Sequence, residues 1–120
     1  MFEQRIYSGD GRLYGGETGG LLYEGSFYQG KYDGTGKLYD PKRGYLVYEG
    51  GFREGKYDGP GKSYSSGVLA YEGEFLLNQY NGMGILYDLA TGAVVYEGVF
   101  YKNRPLGLDG SGQEDALSEF

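Results

Sequence analysis

The tripeptide YEG stands at Tyr23, Tyr48, Tyr71 and Tyr96, at spacings of 25, 23 and 25 residues, and each time a phenylalanine follows four residues after the tyrosine: Phe27, Phe52, Phe75 and Phe100. A chain that copies itself at this period is built from one small unit laid against its neighbours, so the unit decides the fold. The glycine of each tripeptide, Gly25, Gly50, Gly73 and Gly98, is part of the copy. So is a Gly-x-Gly pair after the phenylalanine (Gly34 and Gly36, Gly59 and Gly61, Gly82 and Gly84), which leads to Tyr39, Tyr64 and Tyr87. Gly9, Gly11 and Tyr14 match Gly34, Gly36 and Tyr39, while Phe2 and Tyr7 match Phe27 and Tyr32, so the given sequence opens inside a unit. A natural half-unit serving as a cap and a piece of a longer array both fit that start.

Within a unit the alternation has period two, which predicts strands. Leu46, Tyr48, Gly50 and Phe52 fall on one face and Val47, Glu49, Gly51 and Arg53 on the other. The same inner set recurs as Leu21, Tyr23, Gly25, Phe27, then Leu69, Tyr71, Gly73, Phe75, then Val94, Tyr96, Gly98, Phe100. Three residues after each phenylalanine stands Gly30, Gly55, Asn78 or Asn103, residue types that accept positive φ, although Arg5 holds that place in the first half-unit. A type II′ hairpin with Gly55 and Lys56 at its centre predicts Phe52 opposite Gly59, Gly50 opposite Gly61 and Glu49 opposite Lys62. Rings would then cover the bare backbone of glycines on the next strand.

The links GGETGG, DPKRGY, SSG and DLATGA have turn-forming compositions. The one shortened unit loses two residues, an even number that leaves the inner face inward. The expected architecture is all-β: an elongated, twisted antiparallel meander of stacked hairpins, one per repeat. The sheet domain is expected over 1–109, with full repeats at 23–47, 48–70 and 71–95 and partial ones at 1–22 and 96–109. Pro105 replaces the tyrosine of earlier units, so the sheet is expected to end there. An acidic tail over 110–120 follows, in which Ser111 and Glu114 could cap a short helical turn but a frayed end is the expectation.

Composition narrows the function. Fifteen tyrosines and six phenylalanines against 25 glycines, with a mean hydropathy of −0.54, require an aromatic core. A net charge of −6 argues against nucleic acid and disfavours anionic membrane as partners. With neither cysteine nor histidine the chain lacks thiol nucleophiles, imidazole bases and the commonest soft-metal ligands. No apolar run approaches the roughly 20 residues of a spanning helix and no secretory signal is visible, so a cytoplasmic location is expected.

YEGSFYQGKYDGTGKLY, YEGGFREGKYDGPGKSY and YEGEFLLNQYNGMGILY resemble membrane occupation and recognition nexus (MORN) repeats, in which YEG precedes an aromatic two residues on and a Gly-x-Gly before the second strand. The resemblance runs over about 2–107 and implies the same stacked-hairpin sheet. Two units are longer than the third by two residues, an excess that belongs to the links between hairpins.

Glu24, Glu49, Glu72 and Glu97 recur at one place in the unit and would form an outer column about 9 to 10 Å apart, with Lys37 and Lys62 positioned to pair across strands. A carboxylate repeated because the unit repeats needs no catalytic role, and the chain is expected not to be an enzyme. The Gly-x-Gly pairs lack the following helix of a phosphate loop, and Asp33, Asp40, Asp58 and Asp88 suit turns better than a calcium site, so neither cofactor nor metal is expected. The row Tyr23, Tyr48, Tyr71, Tyr96 with its phenylalanines is expected to pack as core. Tyr39, Tyr64 and Tyr87 share the parity of Lys37 and Lys62 and are the partner-binding candidates. The expected function is a repeat scaffold for protein–protein interaction. The alternatives left open are a membrane or phospholipid surface module, which the family's name suggests, a bacterial immunity or antitoxin protein that binds a toxin, and a carbohydrate-binding sheet. Exposed edges or the aromatic face would also allow a homo-oligomer.

Overall fold

The computed structural model describes residues 7–107. It is one open antiparallel sheet of nine strands paired in chain order: β1 (Gly9–Tyr14), β2 (Leu21–Tyr28), β3 (Lys31–Tyr39), β4 (Leu46–Arg53), β5 (Lys56–Ser65), β6 (Val68–Leu76), β7 (Gln79–Tyr87), β8 (Val94–Tyr101) and β9 (Arg104–Pro105). Its extents of 60 × 26 × 17 Å are those of a single layer drawn out along the stacking direction. The meander of hairpins expected from the repeat is the fold. Phe2 and Arg5, and the tail with Ser111 and Glu114, lie outside the described residues.

The hairpin turns differ from the expected type. Arg53 pairs with Lys56, so Glu54 and Gly55 are the two central residues, at φ of 51° and 84°. Gln29–Gly30, Leu77–Asn78 and Lys102–Asn103 repeat the geometry. With both central residues at positive φ these are type I′ turns, whose twist matches that of the flanking strands. The second position takes only Gly or Asn for this reason. Its N–H also binds the preceding unit: Gly55 donates to the Tyr32 carbonyl at 2.8 Å and Asn78 to that of Tyr57 at 3.0 Å. Asparagine adds a bond that glycine cannot, since Asn78 Oδ1 accepts from the Tyr57 N–H at 2.8 Å and Asn103 Oδ1 from the Tyr80 N–H at 2.9 Å.

Two irregularities per unit correct the expected register. Glu49 opposite Lys62 and Gly50 opposite Gly61 form as expected, but Phe52 pairs with Tyr57 rather than Gly59. Between those pairs Asp58, Gly59 and Pro60 bulge against the single residue Gly51, with Gly59 at φ 86°. Phe52 does face a glycine, Gly34 of the preceding unit. The second irregularity precedes each buried tyrosine. Tyr48 pairs with Leu38 but Leu46 with Tyr39, leaving Val47 as an extra residue. Alternation therefore breaks there, and Leu21, Leu46, Leu69 and Val94 lie opposite Tyr14, Tyr39, Tyr64 and Tyr87 on the outer face, contrary to the expected inner set. Val47 instead packs against the core.

A lone sheet must hide its aromatic face without a second layer, and here the rings hide one another. Tyr23, Tyr48 and Tyr71 are fully buried, and Phe52, Phe75, Tyr96 and Phe100 nearly so, with Phe27 packed against them. Each tyrosine ring lies diagonally over a glycine of the next strand, Tyr23 over Gly36, Tyr48 over Gly61 and Tyr71 over Gly84, where any side chain would collide with it. The rings over these glycines are tyrosines, while Phe52 faces Gly34 of the preceding unit and not the expected Gly59. A second tyrosine forms the roof: Tyr32, Tyr57 and Tyr80 stack on Tyr23, Tyr48 and Tyr71 with centroids 3.8 Å apart. Edge-on phenylalanines form the walls, as Phe52 and Phe75 do around Tyr48 at 5.0 and 5.1 Å. Such pairs contribute about 0.5 to 1.5 kcal/mol each beyond area burial. Because one wall comes from the next unit, burial and stacking of units are the same event.

The links sit along one rim. Asp40 Oδ1 accepts from the Lys42 N–H at 2.9 Å, and Asp88 Oδ1 from the Ala90 N–H at 2.8 Å, which orders two of them. Ser66 and Gly67 close the shortened link as a two-residue turn, and Tyr71 keeps its inward face as the even deletion requires.

A candidate docking face

The outer face is organised in rows that cross the strands. The middle row runs Arg12, Glu24, Lys37, Glu49, Lys62, Glu72, Ile85, Glu97 through successive register pairs. The expected glutamate column is therefore interleaved with cations up to Glu72 rather than standing as paired acids. Arg12 Nε reaches Glu24 Oε2 at 3.1 Å. Opposite charges on neighbouring strands account for the row through cross-strand attraction alone. Of the aspartates weighed for calcium, Asp33 Oδ2 accepts from the Glu54 N–H at 3.1 Å and Asp58 stands 3.9 Å from Arg53, so both are engaged in turn contacts.

Toward the link rim a second row is aromatic and aliphatic: Tyr14, Leu21, Tyr39, Leu46, Tyr64, Leu69, Tyr87 and Val94. The structure brings Tyr39, Tyr64 and Tyr87 onto this one line, on the face opposite the buried rings. They are half-buried, whereas Tyr14 and Val94 at its ends are more than half exposed. A neighbouring carboxylate holds one of the phenols in place. Tyr87 donates to Glu72 Oε1 at 2.9 Å, and this bond to a carboxylate raises the Tyr87 pKa above the ordinary phenol value. Partial burial, then the field of Glu49, does the same for Tyr64.

Sequence reasoning missed two groups. Tyr32, Tyr57 and Tyr80 complete the core, and their constant place nine residues after each YEG tyrosine was the available signal. The aliphatic members of the outer row were assigned to the other face because the bulge that turns them outward leaves no mark in an alternating pattern, whereas Tyr14, the counterpart of Tyr39, was within reach of the same parity argument.

Such a row offers apolar area and hydroxyl groups together, the composition that makes tyrosine common at interaction hot spots. The family model described as MORN repeat matches residues 23–45, 48–67 and 71–88, about half of the chain. No curated protein matches it.

Proposed function

Because the chain belongs to the MORN repeat family, whose members are generally associated with protein and membrane interaction, we propose that it is a non-catalytic scaffold that docks a partner protein on its outer face. The carrying observation is the outer row of Tyr14, Tyr39, Tyr64 and Tyr87 alternating with aliphatic residues. The inner rings are consumed by the core, whereas this row sets aromatic and aliphatic side chains side by side along one line of the outer face. Paired strands position it, so little order has to be imposed on binding. A protein partner is favoured over anionic lipid because the net charge of −6 repels a negative surface.

The test is affinity capture with the wild-type chain and a Tyr39→Ser, Tyr64→Ser, Tyr87→Ser triple variant, both shown folded by circular dichroism. A specific protein retained by the first and lost by the second supports the proposal. Equal retention by both moves the docking site elsewhere, and co-sedimentation with phosphatidylserine vesicles in place of protein capture overturns the choice of partner.

A further inference from the structure

The two halves of the sheet differ in charge. Over residues 7–62 eight acidic and eight basic residues balance, whereas 63–107 hold Glu72, Glu74, Asp88 and Glu97 against Lys102 and Arg104, both of which lie at the last hairpin. The middle outer row shows what this does locally. Glu49 is flanked by Lys37 and Lys62 on adjacent strands, but the cation place between Glu72 and Glu97 is taken by Ile85. On its other side Glu97 has no flanking residue among those described, since β9 pairs only with Phe100 and Tyr101.

Around Ile85 the surface is apolar and open. Met83 is 59% exposed. A shallow groove of about 230 Å³ is lined by Glu72, Met83, Ile85, Glu97 and the backbone of Gly73 and Gly84. Tyr87 fixes the carboxylate of Glu72 at one side through its 2.9 Å hydrogen bond.

We propose that this apolar groove receives a basic segment of the partner protein, with a lysine or arginine laying its aliphatic stem on Ile85 and Met83 and its charged head between Glu72 and Glu97. The inference rests on the scaffold reading and names the chemistry of the partner. Charge complementarity selects the occupant. Elsewhere in the row the protein supplies its own cation between two glutamates, and here it supplies only the floor. Glu72 and Glu97 are two strands apart, roughly 9 to 10 Å, so a cation midway lies within strong interaction distance of both. A long side chain with an apolar stem and a charged tip fits an apolar floor between two acids.

The probe is a short fluorescein-labelled peptide alternating lysine with valine, followed by fluorescence anisotropy, with the glutamate–valine peptide as control. The lysine peptide is expected to bind, with affinity falling as salt rises, and the glutamate peptide to stay free. Ile85→Lys puts into the row the residue that Lys37 and Lys62 already carry there, and weakens the lysine peptide about tenfold or more. Glu97→Gln, at an exposed position, weakens it in the same direction. Lys62→Ile opens an equivalent gap between Glu49 and Glu72 and raises the number of peptides bound. Unchanged affinity in folded Ile85→Lys and Glu97→Gln overturns the inference, as does equal binding of the two peptides. If the captured partner is lost from the tyrosine triple variant yet retained by Ile85→Lys, the scaffold reading stands and this inference falls.

Discussion

Tyr48 and Tyr57 stack face to face, their centroids 3.8 Å apart and their planes within 4°, above the bare backbone of Gly61. The hydroxyl of Tyr48 then donates to the Gly51 carbonyl at 2.8 Å, at the point where the bulge interrupts the hairpin ladder. One side chain thereby fills the space left by a glycine, carries a roof and satisfies a backbone acceptor.

Gly61→Ala is expected to destabilise the sheet by about 1 to 3 kcal/mol or more, because its methyl would occupy the position of the Tyr48 hydroxyl against a ring held on every side. Tyr48→Phe keeps the ring and removes only the bond to Gly51, at a cost of about 1 to 3 kcal/mol. Urea denaturation of the two variants checks both losses.

Alkaline titration reports on the same stack. Burial, then the neighbouring Tyr32, pushes the Tyr23 pKa up to about 12, and burial likewise raises those of Tyr48 and Tyr71. The folded state therefore holds these protons more tightly than the unfolded chain, whose phenols titrate near 10. This contribution is fully present below about pH 10 and is lost as pH rises through the folded value near 12. Circular dichroism and phenolate absorbance followed together should show unfolding in that window. Ionisation of every tyrosine at the ordinary phenol value with the sheet intact would contradict it.

At the turns, Asn78→Gly preserves the backbone conformation but loses the acceptor for the Tyr57 N–H, an expected cost of about 1 kcal/mol. Asn78→Ala loses the acceptor and also forces alanine to φ 72°, so it should cost more. Thermal melts of the pair separate the hydrogen bond from the backbone conformation.

The ion pair of Arg12 with Glu24 is solvent-exposed on both sides. Arg12→Ala is therefore expected to leave the melting temperature nearly unchanged, and the small difference should vanish in high salt. A larger, salt-insensitive loss would mean that the outer row stabilises the sheet directly.

The repeat, its period and the choice of strands over helices were legible in the chain because YEG-x-Phe recurs with alternation on either side. Positive φ three residues after Phe27, Phe52, Phe75 and Phe100 was legible too, since only Gly and Asn stand there. The turn type was not. Glu54, Leu77 and Lys102 occupy the first central position at φ near 50°, and none has the side chain that announces a type I′ turn. The candidate face was half legible: parity placed Tyr39, Tyr64 and Tyr87 outward, while their aliphatic neighbours were assigned to the wrong side.

By itself the sequence determined a meander of aromatic and glycine-rich hairpins with a largely aromatic core, because period-two alternation and fixed turn residues are local properties that each unit states anew. Only the tertiary structure decided which ring lies over which glycine, that a second tyrosine forms the roof, and that Leu21, Leu46, Leu69 and Val94 face outward. Those outcomes depend on bulges, and a bulge arises when two strands of unequal residue count are held in register by hydrogen bonds and packed rings. That balance exists between strands, so no single strand records it.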